Sequence, residues 1–155
     1  LYWTPITLPE DTPLDYSYIS VELTSDFEAE LITLLSGAGI APAPKHDFHS
    51  TLIYDERDIP EPLAKLDPTR IFEAHVVALE ILGDGLIFRL TSKDLQEEHL
   101  RLKAAGYTTP YAGYIPHMSL AYDFNQYDIL ACQTVLVGWA GRKLTFTNEA
   151  YSLGK

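Results

Sequence analysis

The feature that most constrains this chain is a phrase it contains twice. Residues 48–55 read FHSTLIYD and residues 117–123 read HMSLAYD. In each copy a His is followed two positions on by a hydroxyl residue and then by Leu. One residue further comes Tyr-Asp, so that His49, Thr51, Leu52, Tyr54 and Asp55 match His117, Ser119, Leu120, Tyr122 and Asp123. The repeat reaches upstream as well, because Leu23-Thr24-Ser25 recurs as Leu90-Thr91-Ser92, an offset of 67 against 68 for the histidine motifs. The period is too long and the copies too few for a solenoid. Two copies of a β-helix-β unit pack more naturally as two lobes about a pseudo-two-fold axis, with equivalent histidines facing each other across a cleft.

Length and charge narrow what such a fold can do. With 155 residues, 46% of them hydrophobic, the chain can bury one core, which predicts a single domain over 1–155 with an irregular arm at about 1–15. Eleven Lys and Arg stand against 22 Asp and Glu, for a net charge of -11. That argues against a broad basic face gripping long nucleic acid, while leaving room for a small anion held by local donors. Cys132 is the one cysteine, so no internal disulfide forms and a reducing cytosol is the simpler expectation. No apolar run is long enough to predict a membrane span or a membrane partner.

Along the chain, residues 16–23 alternate, with Ile19, Val21 and Leu23 on one side of a predicted strand and Tyr16, Tyr18, Ser20 and Glu22 on the other. Ser25 with Glu28 three residues on reads as a capping box, followed by an apolar stripe of Phe27, Leu31, Leu34 and Leu35 and a stop at Gly37. A Pro-containing loop then leads to the first motif, on a strand. Residues 70–82 and 86–90, split by Gly83-Asp84-Gly85, predict a hairpin. Thr91 or Ser92 opens a second helix with Leu95, Leu100 and Leu102 as apolar contacts, and residues 107–116 form a Tyr/Pro/Gly loop ahead of His117. Residues 128–137 read as helical. Leu144 and Phe146, alternating with Thr145, Thr147, Glu149 and Tyr151, predict a last strand with a polar face.

Residues two apart on a strand share a face, so His49 goes with Thr51 and His117 with Ser119. If the lobes face each other, two imidazoles and two hydroxyls converge on an anion-sized spot. Imidazole exchanges protons near neutrality, so one His can act as base while the other acts as acid. The hydroxyls can hold nonbridging oxygens as charge builds. Phosphodiester cleavage needs those parts, and the scheme requires neither a metal nor another cofactor. The bland reading, ordinary strand residues, would win for one motif alone; it loses ground to two motifs with matching flanks.

The paired His49-Ser50-Thr51-Leu52 and His117-Met118-Ser119-Leu120 resemble the two signatures of the two-histidine (2H) phosphoesterases, and the duplicated order of elements covers residues 16–151. The resemblance implies an α+β, bilobal fold of two pseudo-two-fold-related β-helix-β lobes, with antiparallel sheets facing a central cleft. It further implies a metal-independent site with His49, His117, Thr51 and Ser119 as catalytic residues. Within that family the short chain is similar to the phage anti-CBASS nucleases, which destroy the cyclic oligonucleotide signals of a bacterial immune system. The implied partner is a cyclic di- or trinucleotide, and the implied setting is the cytosol of an infected host. Tyr16, Tyr18 and Glu149 then become candidate substrate contacts. Which histidine is the base stays open, and His49 is taken as base by convention. Two other readings compete: a 2′,3′-cyclic or 2′–5′ RNA phosphoesterase, and a sponge that binds cyclic nucleotides without cleaving them.

Other residues carry weaker signals. Trp3, Tyr111 and Tyr114 are candidates for a lid or for edge packing, and Arg89 aligns with Glu22 in the repeat. Lys45 lies near His49. His46-Asp47 follows Pro44 in a loop, the wrong setting for the helix-borne HD pair of metal phosphohydrolases. His75 and His99 have no motif around them, and Tyr54 and Asp55 read as packing and strand-end residues.

Overall fold

In a computed structural model of the chain, residues 16–39, 48–83, 85–111, 113–121 and 129–154 are described. The arm with Trp3, Lys45, His46-Asp47, Asp84, Tyr122 and Asp123 lie outside the described residues.

Each half folds as β-α-β. The first runs β1 (Tyr16–Leu23), α1 (Ser25–Gly37), β2 (His49–Asp55). After β3 (Phe72–Leu82) the second runs β4 (Gly85–Thr91), α2 (Lys93–Ala104), β5 (His117–Ala121). α3 (Ile129–Leu136) passes into a 3-10 turn at Val137–Trp139, and β6 (Lys143–Gly154) ends the chain. The β3–β4 hairpin closes on the pair Leu82 and Gly85, with Gly83 at φ 61°, the left-handed geometry that two-residue hairpin loops favour.

The two expected sheets are joined into one. Six antiparallel strands run in the order β2-β1-β6-β3-β4-β5, because β6 pairs with β3 through Lys143–Phe146 and with β1 along the rest of its length. Exchanging the halves swaps β2 with β5, β1 with β4 and β6 with β3, which reverses the strand order and leaves it unchanged. The pseudo-two-fold axis therefore passes between β6 and β3, and again between β2 and β5. Those two edge strands share no ladder, yet the sheet bends until their Cα atoms approach within 8 Å.

One face carries the core. Ile19, Val21, Leu52, Phe72, Phe88, Leu120, Leu144 and Phe146 are buried there against Leu31 and Leu35 of α1, Leu95 and Leu102 of α2 and Cys132 and Leu136 of α3. Each fully buried Leu or Phe contributes about 1.5–3 kcal/mol relative to exposure, so this face supplies most of the drive to fold.

Two helix details depart from expectation. The N-cap of α1 is Thr24, not Ser25, and its hydroxyl bonds the Thr145 hydroxyl at 2.8 Å instead of capping the helix. On α2 the inward positions are Leu95, Glu98, His99 and Leu102, a three-and-four spacing that throws Leu100 outward to 62% exposure.

Candidate active site

The register of the strands places both motifs on one face of the sheet. Directly opposed residues share a face, as do residues two apart on one strand. His49 lies opposite Glu22, Glu22 opposite Thr147, Thr145 opposite Glu73, His75 opposite Thr91, and Arg89 opposite His117. Followed across the sheet, those pairs bring His49 and His117 out on the side away from the core, each on an edge strand beside the gap. Ser20 lies opposite Thr51 and Ile87 opposite Ser119, so the two halves are equivalent residue by residue. His117 and Ser119 are buried, while His49 and Thr51 are half-buried.

The equivalence extends to irregularities. The β1–β2 ladder slips between Ile19 and Ser20, and the β4–β5 ladder slips at the matching place, between Leu86 and Ile87. Each slip leaves one extra residue on the motif strand, Leu52 in one half and Leu120 in the other: a β-bulge directly after each hydroxyl. The backbone ties ahead of each His match too, Leu23 N to Phe48 O at 2.8 Å and Leu90 N to Pro116 O at 2.9 Å. Nδ1 of His117 meets the Ile115 carbonyl oxygen at 3.1 Å, a bond to which the ring must donate, so Nε2 is the nitrogen turned toward chemistry.

The first bulge has a consequence that strict alternation misses. Leu52 and Ile53 are both buried, and Tyr54 is thereby returned to the face of His49 and Thr51, opposite Tyr18. Tyr16 and Tyr18 share that face, with ring centroids 6.0 Å apart, and Tyr16 stands 5.0 Å from Tyr54. Tyr111, from the loop ahead of β5, adds a fourth ring 6.4 Å from Tyr54. Burial raises the hydroxyl pKa of both Tyr54 and Tyr111, which keeps them neutral.

A second bulge, in β6, moves one candidate to the other face of the sheet. Asn148, at φ 58°, is the extra residue between the pairs Glu22–Thr147 and Ser20–Ala150. It flips the parity of the strand, so Glu149 and Tyr151 turn to the helix side and the expected run of polar residues on one face is broken. Glu149 is buried, and its Oε1 accepts the Asp67 N–H at 3.0 Å. The structure thus places Glu149, expected as a substrate contact, as a buried carboxyl near Glu98 and Arg101, on the helix side of the sheet and not on the face of the histidines.

The remaining residues fall into place around this frame. Arg89 shares the His117 face and is also held by Glu80 in a two-pronged pair at 2.9 and 2.8 Å. Asp55 is buried at the end of β2, where its carboxylate accepts from Arg57 and from the Thr108 N–H at 2.8 Å, tying the start of the 107–116 loop to the first half. His99, which has no motif around it in the sequence, is buried and its Nδ1 bonds the Leu52 carbonyl oxygen at 2.7 Å. Tyr54 stood out only as part of the repeated Tyr-Asp ending and Tyr111 only as a loop aromatic. A bulge and a loop path decide their placement, and neither has a periodicity to read.

Two His-x-hydroxyl strands flanking the axis of a duplicated antiparallel sheet define a class of protein, the 2H phosphoesterases. The fold agrees: the structure matches that of Escherichia coli LigT in its apo form with a TM-score of 0.50, covering 91% of this chain and 95% of that one at 12% identity. Residues 15–149 match the family described as anti-CBASS protein Acb1, and the chain belongs to that family. The Acb1 anti-CBASS protein of Vibrio phage KVP40 (isolate Vibrio parahaemolyticus/Japan/Matsuzaki/1991) is 27% identical over 111 residues, 69% of this chain and 72% of the phage protein. The protein is accordingly an enzyme, a phosphodiesterase with an anti-CBASS function. Among the described residues no helix is long and apolar enough to cross a membrane.

Proposed function

We propose that the enzyme hydrolyses 3′–5′ bonds in cyclic di- or trinucleotide immune signals, in the cytosol of an infected bacterium. The observation that carries this reading is the residue-by-residue equivalence of the two motif strands on one sheet face, His49 with Thr51 and His117 with Ser119. In a 3′–5′ linked ring the ribose 2′-OH lies beside the scissile phosphorus. One imidazole takes the proton of that hydroxyl and the other protonates the departing 5′ oxygen, giving a 2′,3′-cyclic phosphate. With the roles reversed, water opens this intermediate to a 3′-phosphate end. Thr51 and Ser119 donate to the nonbridging oxygens, where charge grows in the transition state. Tyr16 and Tyr18, joined by Tyr54, offer ring faces on which a base stacks. The scheme asks for no metal.

The test is a panel in EDTA: cyclic dinucleotides, cyclic trinucleotides, 2′,3′-cyclic mononucleotides, 2′–5′ linked RNA and RNA ending in a cyclic phosphate, each with the native enzyme, His49→Ala and His117→Ala. The expected result is linearisation of a cyclic oligonucleotide, with each alanine variant slower by about 10²-fold or more. Preferential turnover of RNA ends would move the substrate to the competing RNA reading. Tight binding of the rings without turnover would leave a sponge, and strict dependence on added metal would remove the mechanism.

A further inference from the structure

The outer edge of β2 is a second place, besides the β6–β3 ladder, where the halves are fastened together. An edge strand presents carbonyls with no ladder partner, and here two successive ones are taken up by the other half. The Tyr114 hydroxyl donates to the Thr51 carbonyl oxygen at 2.9 Å, and Nδ1 of His99 donates to that of Leu52 at 2.7 Å. The two donors are themselves stacked, with ring centroids 4.2 Å apart and planes within 6°. The carbonyls they hold belong to the motif hydroxyl residue and to the bulged residue after it; the first is part of the peptide unit next to the Thr51 Cα, and the second fixes the bulge that follows it. Tyr114 also stands three residues before His117, whose ring is bonded to the Ile115 carbonyl. One short segment, 114–117, thus grips Thr51 at one end and carries the second histidine at the other.

We propose that Tyr114 and His99 are positioning residues for phosphodiester cleavage, clamping the β2 bulge so that the His49–Thr51 pair is held in register with His117 and Ser119. The clamp is built for permanence. Burial raises the Tyr114 pKa, so the hydroxyl stays a donor, and burial lowers that of His99, which favours the neutral ring. Reactive geometry is demanding, and a displacement of about 1 Å costs on the order of 100-fold in rate.

The proposal rests on the phosphodiesterase reading, and its test separates the two. With the ring substrate that the native enzyme turns over, Tyr114→Phe removes one hydroxyl and keeps the stack; it should lower kcat by about 10- to 100-fold while KM moves much less. Because the clamp acts through Thr51, the same change in a Thr51→Val background should cost only a few-fold. His99→Asn, which keeps a donor at the Nδ1 position, should retain more activity than His99→Leu. Additive losses, or full kcat in Tyr114→Phe, overturn the clamp. If Tyr114→Phe does not fold, the His99 pair decides, and equal kcat in the two His99 variants overturns it. If the native enzyme turns over nothing in the panel, the substrate reading has failed and the clamp is judged by inorganic phosphate binding, followed through the imidazole proton resonances of His49 and His117. There Tyr114→Phe should weaken phosphate by about threefold or more, the scale of one hydrogen bond, and unchanged affinity overturns the proposal.

Discussion

Glu149 is chemically conspicuous at a distance from the two histidines, on the helix side of the sheet. Burial, together with the neighbouring Glu98, pushes its carboxyl up to about 7. Glu98 is buried as well, but Arg101 at 2.7 Å, with Arg70 at 3.5 Å, outweighs that cost and holds it charged. Oε2 of Glu149 meets no donor among the described residues, and with Glu98 beside it the raised pKa calls for a proton shared between the two carboxyls. The sign follows: a carboxyl whose pKa in the fold exceeds its ordinary 4.5 contributes stability in full below 4.5 and loses it as pH rises through about 7. Glu149→Gln, neutral throughout, should therefore gain stability relative to the native protein between pH 5 and 8. Urea midpoints measured across that range check it; a constant difference between the two proteins would count against the shared proton.

At the scale of elements, the two helices that open the repeats are not started alike. Ser92 accepts the Leu95 N–H at 3.0 Å and donates to the Glu73 carbonyl, whereas Ser25 sits inside the first turn of α1 and caps nothing. Ser92→Ala should cost about 1–2 kcal/mol and Ser25→Ala a few tenths, as read from denaturant midpoints. Capping patterns alone made these serines look interchangeable, because Leu-Thr-Ser is the same phrase in both halves. The same limit explains what else was legible. Helix faces, the hairpin at Gly83 and the motif strands are short-range patterns, and residues such as Leu31, Leu95 and His49 stand where periodicity puts them. The bulges at Leu52 and Asn148 are not patterned. They arise where a strand must fit a partner far away in the chain, so the turn of Tyr54 toward the site and of Glu149 away from it could not be read in advance.

For the whole molecule, charge sets how substrate arrives. With a net charge of -11 the enzyme has no general attraction for polyanions, and capture of a small ring must come from local contacts. Proteins that release counterions from nucleic acid lose on the order of 10³-fold or more in affinity between about 50 and 200 mM salt. For this enzyme KM should change by less than about tenfold over the same range. A steep rise in KM would reveal a basic track that the charge balance gives no reason to expect.

The route of β6 has a further consequence. The first half owns β1 and β2 but borrows the third strand of its sheet from the far end of the polypeptide, while β3 from the middle of the chain serves the second half. The first repeat cannot complete its sheet from its own sequence, whereas the second has β3, β4 and β5 in one continuous stretch. A protease cut in the connection between β2 and β3 would therefore release no working half: the fragments would stay interlocked, and separately expressed they would regain activity only when mixed.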